Sequence, residues 1–62
     1  MSEIQYVNSV KIAQDNLEEA NRQLAQAKVD YGKGAIPVER LHQLEELRDT
    51  AAADLQRVLK EN

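Results

Sequence analysis

The chain contains no cysteine, no tryptophan and no phenylalanine. Without cysteine, disulfides and thiolate metal sites are excluded together. The single histidine, His42, cannot supply the ligand set of a structural zinc site. Aromatic residues are limited to Tyr6 and Tyr31, so any core must be aliphatic. Proline occurs once and glycine twice, all between Gly32 and Pro37, so the strongest helix breakers are confined to one short segment. No apolar run approaches the ~20 residues of a membrane span, so membrane insertion is not expected. The N-terminus lacks the basic and apolar regions of a secretory signal. With Met1 as the start, the expected location is the cytoplasm.

Positive charge is also sparse. Eight Lys and Arg stand against eleven Asp and Glu, a formal net charge of −3, and the basic residues are scattered among the acidic ones. Phosphate binding needs a clustered positive surface, so no nucleic-acid partner is expected. Anionic membrane surfaces are disfavoured for the same reason. At 62 residues the chain makes one domain, residues 1–62. Below roughly 70–80 residues a single core rarely supplies more than about 3–5 kcal/mol, and small folds add disulfides, a metal or self-association. Composition removes the first two, which leaves a homodimer as the expected source of extra stability.

What the sequence does have is a heptad. Val10, Ala13, Leu17, Ala20, Leu24, Ala27 and Tyr31 recur in steps of three and four, which places them on one stripe of an α-helix. Large residues alternate with alanine along the stripe, so a second helix can approach closely. In heptad notation the a positions are 3, 10, 17, 24 and 31, and the d positions are 6, 13, 20 and 27. Tyr6 therefore joins the seam, and Glu3 violates it at the helix end. Ser2 and Gln5 form a capping box, and Glu3 carries the sign that a helix N-terminus favours. Ile4, Val7 and Ile12 widen the stripe near the N-terminus. The first helix is expected over residues 2–31, roughly 43 Å at 1.5 Å per residue.

Glycine past a helix end can take the left-handed conformation that closes it, and proline suits the first turn of the helix that follows. Gly32 to Ile36 therefore reads as a connection of about five residues, with Gly32, Gly34, Ile36 and Pro37 as its turn residues. So short a connection makes the flanking helices antiparallel neighbours. Ile36, apolar in a polar turn, is expected to fold back over the end of the seam. The second helix is expected over residues 37–60, with Leu41, Leu44, Ala51, Leu55 and Val58 on its seam and Arg48 interrupting. Leu47, Ala52 and Leu59 flank that seam and make it wider than a two-stranded coiled coil requires. Glu39 lies in the first turn, with Arg57 and Lys60 in the last, each of the sign the dipole favours. On the outer faces Glu18 with Arg22, and Asp54 with Arg57, are spaced for ion pairs.

The expected fold is all-α: an antiparallel two-helix hairpin. Two such hairpins pairing into a four-helix bundle would cover Val7, Ile12, Leu47 and Leu59, and two-fold dimers are the commonest closed assembly. Val10, Ala13, Leu17, Ala20, Leu24, Ala27, Tyr31, Leu41, Leu44, Leu47, Ala51, Leu55 and Val58 are the expected self-association residues. Arg48 on the seam is read as packing its stem while the guanidinium reaches water. A buried polar group that fixes pairing register is the alternative.

No constellation for chemistry emerges. His42 lies among Gln43, Glu45 and Glu46 on the outer flank of its helix and is read as an exposed residue, not as a catalyst or pH sensor. Glu18-Glu19 and Glu45-Glu46 diverge by about 100° around their helices and are read as solvated charge. Tyr6 and Tyr31 are read as packing at the helix ends, with interface anchors as the alternative. Gly32-Lys33-Gly34 follows no strand and is too short for a phosphate cradle. No catalytic residue, metal or cofactor is expected, and the chain is not expected to be an enzyme.

From Leu17 to Leu59 the chain resembles the periplasmic helical hairpins of outer-membrane efflux proteins and their membrane-fusion adaptors. The efflux hairpins carry leucine–alanine heptads, then a tyrosine, two residues, a glycine and an apolar residue at the tip. Here Leu17, Ala20, Leu24 and Ala27 lead to Tyr31, Gly34 and Ile36. The adaptor turn is Gly-Ala-Ile-Ser before an alanine-rich return helix. Gly34, Ala35 and Ile36 match it, with Ala51, Ala52 and Leu55 downstream, whereas Pro37 replaces the serine and the adaptor tip's arginine has no counterpart. The resemblance implies hairpin geometry and a structural part in a secretion or efflux assembly.

The function expected from the residues is a non-enzymatic protein–protein interaction module: a regulator, assembly factor or small chaperone that is itself a homodimer and binds a further protein. One alternative is the structural hairpin just described. A second is a small plasmid- or phage-type nucleic-acid regulator, for which Arg22 and Lys28 make a thin basic face.

Overall fold

Two helices joined by a five-residue turn make up the computed structural model. They are α1, Ser2–Gly32, and α2, Val38–Glu61. The structure describes the backbone of residues 2–61 and the side chains of residues 9–61. The capping box of Ser2 and Gln5, the dipole role of Glu3, and the seam or flank roles of Ile4, Tyr6 and Val7 lie outside the described side chains. No strand occurs among the described residues.

The all-helical hairpin expected from the heptad is the fold observed, with each helix one residue longer or later than its expected bounds. α1 ends in a Schellman closure. The N–H of Ala35 donates to the Asp30 carbonyl at 2.8 Å, and that of Gly34 donates to the Tyr31 carbonyl at 3.0 Å. These bonds satisfy carbonyls that a helix end otherwise leaves open, and they require a left-handed residue between them. Gly34 supplies it with φ +75°. Gly32 is the last residue of α1, so only one of the two glycines acts as the helix stop.

Pro37 is not the first residue of α2 but the one before it. Its carbonyl accepts the first helical bonds, from Arg40 at 3.1 Å and Leu41 at 3.4 Å. The fixed φ of proline thus orients the carbonyl that starts the helix. Glu39 in the first turn and Lys60 in the last match the α2 dipole, while α1 has no basic residue in its last turn.

The helices run antiparallel. Near the turn Leu24 and Ala27 of α1 form the core with Leu44 of α2, and Ile36 and Leu41 pack against them. Ile36 therefore folds back over the seam's end. Farther away, Ala13 and Ala20 lie across from residues between Leu47 and Asp54. The molecule measures 48 × 14 × 10 Å, so it is two helices wide and one helix thick. Four described side chains are buried: Ala13, Leu24, Ala27 and Leu44.

Candidate interaction surface

In α1 every a position from residue 10 onward is large and every d position is alanine. The a and d positions lean to opposite sides of the line where two helices touch. The alternation therefore gives the hairpin two unlike broad faces. On the a side, Leu24 is buried between the helices and Val10 and Leu17 are half-buried. On the d side, the missing side-chain volume of the alanines leaves a groove.

The groove is lined by Ala13, Asn16, Glu19, Ala20 and Gln23 of α1 and by Leu47, Thr50, Ala51 and Asp54 of α2. Toward the turn the same side continues past Ala27, Asp30, Ile36, Arg40 and Leu44. Its floor is alanine, and Leu47 stands on its wall 55% exposed. The α1 wall is held by bonds one turn apart: the Gln23 amide donates to Glu19 Oε2 at 2.9 Å, and the Gln26 amide donates to Asp30 Oδ1 at 3.1 Å. The carboxylates near the rims are paired within their own helices, Glu19 with Arg22, and Asp54 with Arg57 at 3.1 Å. Arg57 also lies 3.9 Å from Glu61.

The opposite face is charged at its centre. Arg48 follows Leu47 by about 100° around α2 and so falls on the other side of the line through Leu44, Ala51 and Leu55. It is half-buried, with its guanidinium Nε 2.8 Å from Asp49 Oδ1 on the exposed surface. Glu45, half-buried on the same side, adds a second charge.

Most of the expected seam is where the heptad puts it. Val10, Leu17, Ala20, Leu41, Ala51, Leu55 and Val58 are half-buried, and Ala13, Leu24, Ala27 and Leu44 are buried. Tyr31 is the exception. It is 45% exposed, because α2 begins only at Val38 and Ile36 already occupies the end of the seam. Tyr31 is therefore not a seam residue of the hairpin. The flanking residues Ile12 and Leu59 are exposed, as expected for a lone hairpin. Leu47 and Leu59, twelve residues apart, sit about 120° from one another and straddle the α2 seam. Arg22 also chooses Glu19 over the expected Glu18.

The groove itself was not anticipated. Asp54, expected on an outer face, lines it together with Asn16, Gln23 and Thr50. The signal was present in the strict assignment of alanine to one of the two seam positions.

Among the described residues, no group of three or more His, Cys, Asp or Glu side chains could hold a metal ion, and no buried side-chain polar atom lacks a partner. His42 is exposed, and the members of the Glu18-Glu19 and Glu45-Glu46 pairs diverge, one half-buried and one exposed in each. No described helix is long and apolar enough to cross a membrane. Compared with protein-family models, curated proteins and solved structures, the chain matches none.

Proposed function

We propose that this chain is a non-enzymatic protein–protein interaction module, a helical hairpin that self-associates and presents its remaining surface to another protein as a regulator, assembly factor or small chaperone. The observation that carries this reading is the mismatch between core and exposed apolar surface. Four of the described side chains are buried in a body one helix thick, while Ile12, Leu47 and Leu59 are each at least half exposed. Stable domains are built of two or more packed layers, and a single layer of two helices leaves its broad faces uncovered. A second hairpin supplies the missing layer as an antiparallel four-helix bundle. We also propose a cytoplasmic location, since a chain without cysteine gains nothing from an oxidising compartment.

Sedimentation equilibrium over a wide concentration range, with melting followed by circular dichroism, tests this reading. The expected result is a dimer whose Tm rises with concentration, because association and folding are linked by mass action. A monomer at millimolar concentration with a constant Tm would overturn it.

A further inference from the structure

We propose that the second copy docks on the alanine-floored groove face and not on the face carrying Arg48 and Glu45, with Leu47 of each copy seated in the groove of the other. This rests on the self-association proposed above and specifies its surface. Three observations support the assignment.

The first is the cost of desolvation. A partner laid on the groove covers Ala13, Ala20 and Ala51 at its centre, with Asn16, Glu19, Gln23, Thr50 and Asp54 around them. The amides and hydroxyl can exchange water for partners across the interface, and each carboxylate keeps an arginine of its own helix beside it, Glu19 with Arg22 and Asp54 with Arg57. A partner on the other face would cover the half-buried Arg48 and Glu45. Burying charge is expensive unless each group finds a well-placed counter-charge.

The second is self-complementarity. A two-fold interface uses the same patch twice, so that patch must carry both the projection and the recess. The groove face has both: the exposed Leu47 on its wall and the alanine floor beside it. A foreign helix would need only the recess. The exposed leucine within the same patch is explained when the occupant is a second copy. The rims are compatible with this occupant despite the net negative charge, because Glu19 and Asp54 are each paired with an arginine.

The third is area. A face of 48 × 14 Å offers roughly 700 Å² in flat projection, close to the ~800 Å² that each partner contributes to a standard-size interface. A copy laid along the full length therefore reaches the scale of a stable dimer, whereas a shorter segment would not.

Two measurements test the face separately from dimerisation. In a dilution series followed by amide NMR on the wild-type chain, the concentration-dependent shifts should gather at Asn16, Ala20, Gln23, Thr50 and Ala51. In sedimentation, Leu47→Asp should weaken the dimer by at least about 30-fold, the scale of an interface hot spot. Leu59→Asp, on the other side of the α2 seam, should leave it dimeric. Shifts gathered instead at Lys28, Glu45, Arg48 and Ala52, or a Leu47→Asp dimer of wild-type affinity, would overturn the groove assignment while leaving self-association intact. If Leu47→Asp fails to fold, the wild-type shifts decide alone. A chain monomeric at every concentration would overturn both proposals and leave the groove to a partner of different sequence.

Discussion

The turn end and the open end of the hairpin are made from the same heptad, yet among the described side chains only those near the turn form a buried cluster. Near the turn Leu24, Ala27 and Leu44 are closed off by Ile36 and Leu41. At the open end Val10, Leu17, Leu55 and Val58 are half-buried, and Ile12 and Leu59 are exposed. Ala13 is the one buried side chain among the described residues there, and it is small enough to hide without a surrounding core. The difference lies in what closes each end. A five-residue turn brings the helices together at little entropic cost, and its isoleucine acts as a lid. In a two-helix body the pattern of apolar residues sets which side faces in, and the end closures set how deeply each position is buried.

The largest effect should come from placing a charge at the closed end. Leu24, 3% exposed, has no counter-charge within the core cluster. Leu24→Asp should abolish cooperative thermal unfolding, since an unpaired buried charge costs at least about 3 kcal/mol, a large share of what so small a core supplies. Leu17→Asp, at a half-buried position nearer the open end, should also destabilise, but by less. A melt in which the two variants are equal, or Leu17→Asp is the worse, would break the contrast between the ends. The milder Leu24→Ala should cost about 2–5 kcal/mol, and Leu55→Ala distinctly less. Hydrogen exchange should order the amides the same way, with slowest exchange around Leu24 and Leu44 and rates rising toward Val10 and Val58.

The turn offers a test in which two like residues should respond with opposite sign. An added Cβ meets nothing within 4 Å at either glycine, so neither substitution is opposed by a clash. Gly34 has φ +75°, and an L residue held there costs about 1–2 kcal/mol. Gly34→Val should therefore lower stability by about 2 kcal/mol. Gly32 is in α1 without a positive φ, so Gly32→Ala should raise stability by about 0.5–1 kcal/mol through helix propensity. Denaturant midpoints for the two variants, falling on opposite sides of the wild type, are the expected result. Equal losses would mean that the helix stop is shared between the glycines.

Much of this was legible in the residues. Period and punctuation placed both helices to within a residue, the turn between them and Ile36 over the seam. Such features depend on local spacing, on backbone freedom at Gly34 and on its restriction at Pro37. What sequence did not disclose depends on the partner element. Tyr31 continues the α1 heptad, and only the point where α2 begins decides that nothing faces it. Arg22 has acidic neighbours three and four residues back, and side-chain geometry selects Glu19. The groove needed one further step: a strict alternation of large and small seam residues makes a face as well as a seam.

The smallest expected effect sharpens the contrast between the ends by moving sideways at the stronger one. His42 follows Leu41 and precedes Leu44 in sequence, but it points away from the core and is exposed. If the turn end owes its strength to the inward cluster alone, His42→Ala should change stability by less than about 0.5 kcal/mol, as surface substitutions do. Alanine's helix propensity should make any change slightly favourable. Sedimentation of this variant should match the wild type, since residue 42 lies off the groove. A loss above about 1 kcal/mol, or a weakened dimer, would show that the outer side of α2 contributes to stability or to the interface. The strength of the turn end would then not come from its core cluster alone.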